Sequence, residues 1–208
     1  MIVRLVGSEM CIRDSYMGAT KYDGYDRTNA VAISCGIKNL AVLLNTGEVL
    51  TCGHYEAAGQ SGLSPNYAKK FRRMDMSEGY DRTNAVAICY GGYHLCILLA
   101  SGKVLTCGNN AYGQLGINSL VSSTLLKAIE TTSEYDGTNA IAISCGENHT
   151  AILLNTGEVL MCGYSNRGQL GDGNYVRRQT FVRMEISGGY DRTNAVAVSC
   201  GYNHTCLL

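Results

Sequence analysis

The sequence has no tryptophan, no excess of either charge and no apolar run approaching 18 residues. Lysine plus arginine total 17, as do aspartate plus glutamate. No net field therefore draws the chain toward nucleic acid or an anionic membrane. Without a long apolar run there is no transmembrane helix, and residues 1–6 are too short and too poorly flanked for a secretory signal. Ten cysteines in 208 residues fall below the density of a disulfide scaffold, and no pair has Cys-x-x-Cys spacing. The Gly-rich stretch 163–173 lacks a Gly-Lys-Ser/Thr ending, so it does not read as a phosphate cradle. The basic cluster Lys69-Lys70-Phe71-Arg72-Arg73 and the smaller Arg177-Arg178 read as solvated strand ends or loops.

What the chain does have is a repeat of 55 residues. Thr28-Asn29-Ala30 returns as Thr83-Asn84-Ala85, Thr138-Asn139-Ala140 and Thr193-Asn194-Ala195. Between 28–52 and 138–162, 18 of the 25 positions are identical. A period of this size denotes one supersecondary unit stacked on copies of itself, an arrangement that favours extended binding surfaces. The copies run over about 25–79, 80–134, 135–189 and an incomplete 190–208. Residues 1–15 do not fit the repeat and read as translated adapter text rather than native sequence. The organised region is thus expected to be 16–208, and its partial first and last copies are expected to make it a fragment with open edges prone to self-association.

Each copy reads as four short strands. In the copy at 135–189, residues 140–146 alternate larger and smaller side chains. One face carries Ile141, Ile143 and Cys145; the other carries Ala140, Ala142 and Ser144, small enough for the innermost strand of a propeller blade. Residues 150–154 form a second strand, 155–157 a turn, 158–162 a third strand and 180–184 a fourth. The expected class is all-β: a propeller of four-stranded blades.

Between copies, Tyr80-Asp81-Arg82-Thr83-Asn84 recurs as Tyr25-Asp26-Arg27-Thr28-Asn29, Tyr135-Asp136-Gly137-Thr138-Asn139 and Tyr190-Asp191-Arg192-Thr193-Asn194. One reading is an Asx-type turn capping each inner strand. The other is a partner-binding rim, with Tyr80, Asp81, Arg82, Tyr190, Asp191 and Arg192 as its candidate residues, since Tyr and Arg are favoured at interface hot spots. His94, His149 and His204 share one position in three copies. A whole sheet separates neighbours, so they are expected to bond nearby backbone rather than share a metal. Cys52, Cys107 and Cys162 are likewise expected to be buried, separate thiols, as in a reducing compartment. Cys89 with Cys96, and Cys200 with Cys206, could approach across one hairpin, with free thiols the favoured state. Near-identical copies supply the same groups again and again, whereas a catalytic site needs different groups meeting once. No catalytic residue, metal or cofactor is expected.

Residues 143–153, with Gly146, His149 and Thr150, resemble the Gly-x-x-His-Thr core of the regulator of chromosome condensation repeat. Gly91 with His94, and Gly201 with His204 and Thr205, occupy the same places. Gly113-Gln114-Leu115-Gly116 and Gly168-Gln169-Leu170-Gly171 are similar to that family's Gly-Gln-Leu-Gly. The resemblance covers about 22–208 and implies a propeller in which seven blades are usual, so this chain would hold about three and a half. Departures are present. Cysteine stands where the family has tryptophan before the third-strand glycine; Asn39-Leu40 stands for His-Thr; residues 59–62 are shifted by one; and Tyr90 occupies a small-residue position. WD and kelch repeats fit worse, because each pattern needs a tryptophan and the chain has none. The implied function is a protein–protein interaction module of an intracellular protein, cytoplasmic or nuclear. The alternatives are guanine-nucleotide exchange on a Ran-like small GTPase and substrate recruitment for a HECT-type ubiquitin ligase.

Overall fold

The computed structural model describes residues 28–54 and 67–208. The leader at 1–15, the first inter-repeat loop at 25–27 and the shifted motif at 59–62 lie outside the described residues. Among the described residues, fourteen strands form three four-stranded antiparallel sheets and one hairpin, with strand order following the chain in every sheet. The first sheet contains β1 (Ala30–Cys35), β2 (Asn39–Leu44), β3 (Val49–His54) and β4 (Tyr67–Arg73). The second contains β5 (Ala85–Tyr90), β6 (His94–Leu99), β7 (Val104–Gly108) and β8 (Ser123–Ala128). The third contains β9 (Ala140–Cys145), β10 (His149–Leu154), β11 (Val159–Gly163) and β12 (Arg178–Arg183). The hairpin β13 (Val198–Cys200) and β14 (Thr205–Leu207) opens a fourth. The 55-residue copies are thus propeller blades. Among the described residues no helix is long and apolar enough to cross a membrane.

The first strands are innermost: β1, β5, β9 and β13 each pack against the next. The core lies in the seams between blades. One apolar cluster joins Ala41 and Val49 of the first blade to Leu95, Leu105 and Cys107 of the second. Others join the second blade to the third through Cys96, Ile152 and Cys162, and the third to the fourth through Leu153, Met161 and Ala195. This explains why β6 and β10 are buried at every position: each middle strand has a blade on both sides.

Strict alternation along the inner strand does not hold. Leu153 pairs with Ala142 but Leu154 pairs with Ala140, so Ile141 is the extra residue of a bulge. The bulge turns Ala140 toward the second blade with Ile143 and Cys145, while Ala142 faces the fourth. Ile141 is left 56% exposed, and its equivalents Val31, Val86 and Val196 are 51%, 53% and 71% exposed. The thin inner face that sequence reading assigns to Ala140, Ala142 and Ser144 is corrected accordingly.

The missing tryptophan is replaced from the outer strand. Phe181 on β12 is buried in the same cluster as Cys162. Both crowd Gly116 of the preceding blade, where a Cβ would collide with the phenyl ring. Cys107 and Cys162 are buried, Cys52 is half-buried, and all three are free thiols. Burial pushes the Cys107 thiol up to about 12. Burial, aided by the nearby Cys35 thiol, pushes that of Cys52 up to about 11. Alkylation in denaturant without reductant is expected to label Cys52, Cys107 and Cys162 completely; a disulfide among them would contradict this packing.

Candidate functional site: two loop faces

Antiparallel order within each blade sorts the loops onto two faces. The turns between second and third strands, and the connections from fourth strand to next blade, lie on one face, called A. The turns between first and second strands, and the long loops between third and fourth, lie on the opposite face, called B.

Face A is uniform because each loop does the same structural work. The structure buries Tyr80 and Tyr135, each 1% exposed, and turns their hydroxyls into the preceding blade. They accept the backbone N–H of Val49 and Val104 at 2.8 Å. Tyr190 accepts that of Val159 in the same way. Burial pushes the Tyr80 and Tyr135 hydroxyls up to about 12. Tyr80 therefore offers no rim surface; hydrophobic transfer of the ring and pairing of an otherwise orphaned N–H draw it inward. Asp81 and Asp191 accept the N–H and hydroxyl of Thr83 and Thr193 at 2.7–2.8 Å. Those bonds hold both carboxyls below the usual carboxylate range. Arg82 and Arg192 adopt φ of 70° and 72° and donate Nε–H to the carbonyls of Met74 and Met184. The third copy has Gly137 at this point, φ 89°, which shows that the turn demands the left-handed conformation.

The Gly-x-x-His-Thr and Gly-Gln-Leu-Gly motifs meet across the seams. His94 of the second blade and Gln114 of its long loop both grip Thr150 of the third. The Thr150 hydroxyl donates to the Gln114 carbonyl at 2.7 Å and contacts His94 Nε2 at 2.8 Å. Its one proton is committed to the carbonyl, so His94 donates from Nε2. His149, Gln169 and Thr205 repeat the clasp at 3.1 and 2.9 Å. A Cβ on Gly91, Gly146 or Gly201 would strike the ring of His94, His149 or His204. His94 and His149 thus bond a threonine of the next blade, a partner that sequence reading, expecting nearby backbone, did not supply. Burial lowers His94 to about 3 and His149 to about 4, which keeps both neutral. Gln114 and Gln169 also close their own loops, accepting the N–H of Tyr112 and Arg167 at 2.9 Å. Among the described residues no group of three His, Cys, Asp or Glu could hold a metal.

The first seam lacks the clasp. Leu95 stands where Thr150 stands, and Asn39 where His94 stands. Tyr90 fills the space, 4% exposed and packed in the cluster with Leu95 and Cys107. The inner-strand link survives: Tyr90 N–H donates to Ser34 Oγ at 2.7 Å, as Cys200 N–H does to Ser144 Oγ at 2.9 Å. In the seam between them Cys89 takes the serine's place, accepting from Cys145 N–H at 3.1 Å. Cys89 also lies directly opposite Cys96 across its hairpin, both as free thiols.

Face B is where the copies differ. The equivalent positions 37, 92, 147 and 202 carry Ile, Gly, Glu and Tyr; Tyr112 answers to Arg167, and Asn109 to Tyr164. The Tyr112 and Tyr164 rings meet with centroids 4.5 Å apart. Tyr175 and Tyr202 are 75% and 63% exposed. Sequence reading passed over these residues because repetition was its signal. The usable signal was the reverse: exposed positions at which otherwise near-identical copies disagree.

The Regulator of chromosome condensation (RCC1) repeat profile matches residues 101–153 and 156–208, and a second profile of that description matches 85–114 and 140–169. The probable E3 ubiquitin-protein ligase HERC4 of Homo sapiens is 30% identical over 95% of this chain and 19% of its own length. The serine/threonine-protein kinase Nek9 of Mus musculus is 29% identical over 83% of this chain and 18% of its own. The chain thus spans about a fifth of the length of these relatives. Human WBSCR16 superposes with a TM-score of 0.73 at 24% identity, covering 89% of this chain and 46% of that one. Yeast RCC1 (Prp20), solved with Kap60 bound, superposes with 0.71 at 18% identity, covering 91% and 43%. Shared motifs, seam clasps and matching profiles together place this chain in the regulator of chromosome condensation (RCC1) repeat family.

Proposed function

We propose that the chain is a non-catalytic, protein-binding propeller that engages its partner through face B. The observation that carries this reading is the contrast between faces. Side chains on face A repeat because they hold blades together, whereas face B varies its exposed tyrosines and charges on a fixed backbone, as recognition requires. Asp81, Arg82, Asp191 and Arg192 on face A form the competing surface, beside the exposed Val86 and Ile141.

Two partner classes refine the reading. HERC4 is a probable ubiquitin ligase and Nek9 a kinase; in such a chain the propeller would recruit substrate while a separate domain does the chemistry. Prp20 is described with binding to Gsp1p and histones, and with the family resemblance this supports a small GTPase as the second class. Free thiols throughout the described residues support an intracellular setting, cytoplasmic or nuclear.

Photo-crosslinking tests the assignment. Benzoylphenylalanine placed at position 112, 175 or 202 is expected to trap a discrete protein partner, and at 86, 141 or 196 to trap none. Crosslinks confined to the second set would transfer the site to face A. Accelerated nucleotide release from a Ran-like GTPase would replace recruitment by exchange.

A further inference from the structure

Face B holds an open concavity of about 320 Å³ where the inner strands end. Positions 37, 92, 147 and 202 ring it, and their main chains are tied blade to blade. Ile37 N–H donates to the Gly92 carbonyl at 3.0 Å, Gly92 to Glu147 at 2.9 Å and Glu147 to Tyr202 at 3.3 Å. With the backbone fixed in this way, the four blades differ at the mouth in side chain alone. Gly92 lets its neighbours close in on either side. A Cβ there would stand 2.8 Å from the Glu147 carbonyl, 3.0 Å from Glu147 Cγ and 3.4 Å from Ile37 Cδ1. The mouth of the concavity is a slot lined by aliphatic Ile37, the Glu147 carboxylate and the Tyr202 ring.

Glu147 is the one charged residue lining the concavity, and among the described residues it forms no ion pair. Its contact is the Tyr202 hydroxyl, which it holds above the usual tyrosine range. An anionic ligand would be repelled here, and a purely apolar one would strip water from the carboxylate without replacing it. A long side chain with an aliphatic stem and a cationic head satisfies every wall at once.

We infer that this slot receives a lysine or arginine side chain of a protein partner, with its stem along Ile37, its charge on Glu147 and its head beside the Tyr202 ring. The inference rests on the face B reading and specifies the chemistry of its partner.

The test is selection of a random dodecapeptide library on the whole chain, followed by fluorescence polarisation with the enriched peptides. Enriched peptides are expected to share a lysine or arginine. Replacing it by norleucine or citrulline is expected to weaken binding at least tenfold. Glu147→Gln, which preserves shape, is expected to give the same loss, with no further loss when both changes are combined. Tyr202→Phe is expected to weaken binding less. Peptides without a basic residue, or binding indifferent to Glu147→Gln, would overturn the slot. The face B reading would survive that result if Tyr112→Ala or Arg167→Ala still abolished binding. Failure of any peptide to enrich, or binding lost only on Arg82→Ala or Arg192→Ala, would overturn both.

Discussion

Replacing Gly102 by alanine is expected to destabilise the protein by about 4 kcal/mol. Gly102 closes the turn between β6 and β7 at φ 82°, where a side chain carries an intrinsic penalty of about 1–2 kcal/mol. A Cβ at this point would also sit well under 3.0 Å from the Thr138 carbonyl. That obstacle is backbone of the next inter-blade loop, which Asp136 and Asn139 hold in place through bonds to Thr138 and to the Glu134 carbonyl. Neither side can yield without opening the seam, so overpacking adds about 1–3 kcal/mol. Gly188 provides the control. Its φ is 58°, and nothing lies within 4 Å of the added carbon. Alanine there is expected to cost about 1 kcal/mol, the backbone term alone. Urea denaturation of both variants decides the matter. Equal losses would show that the turn does not bear on the next blade.

The same contact explains which parts of the fold were legible in the sequence. Copies of Asn-Thr-Gly and Thr-Asn-Ala recur at a fixed period because each hairpin tip touches the next loop, so periodicity reports stacking directly. Strand identities followed from apolar runs bounded by these turns. What could not be read was anything depending on partners from different copies. The bulge at Ile141 shifts the inner strand by one residue, yet the alternation of Ala and Ile there fits an unbroken strand equally well. Phe181 replaces a missing tryptophan from another strand, and no local pattern announces it. Tyr80 looks like a hot-spot residue in composition, whereas its hydroxyl belongs to Val49 in the blade before.

Function was less legible than fold for a related reason. In a stacked array, whatever repeats is held by packing, so a search for shared motifs returns His94, Thr150, Gln114 and their equivalents, all of which close seams. The concavity at face B is built on positions that repeat in backbone and differ in side chain. Gly92 has no side chain at all, and its contribution is to let Ile37 and Glu147 approach to distances that a Cβ would obstruct. A feature assembled from four blades has no sequence signature until the register between blades is known.

The seam clasps are expected to make stability depend on pH well above the carboxylate range. His94 and His149 titrate near 3 and 4 in the folded protein, against about 6.5 in an unfolded chain. Between those values the unfolded state binds more protons, so the clasps contribute fully above about pH 6.5 and lose their contribution as pH falls below it. The slope for each histidine approaches about 1.4 kcal/mol per pH unit. Asp81, Asp136 and Asp191, whose threonine bonds hold their carboxyls low, titrate below this window, so the interval from pH 6.5 to 5 isolates the histidines. His94→Gln retains an N–H donor for Thr150 without a titrating ring, and it is expected to remove about half of the combined slope of the two histidines. Thr150→Val attacks the other half of the clasp. It leaves His94 Nε2–H unpaired and the Gln114 carbonyl with only the weak Cys162 S–H donor at 3.5 Å in a fully buried site, a loss of about 2 kcal/mol at neutral pH. Leu95→Val, at the seam that already has Tyr90 in place of a clasp, is expected to cost about 1 kcal/mol from packing alone. Denaturation midpoints at pH 7.5, 6.0 and 5.0 distinguish the cases. A wild-type stability that stays flat from 7.5 to 5.0 would mean that the histidines accept protons where they stand, and that the blades are held together by apolar seams without the clasp.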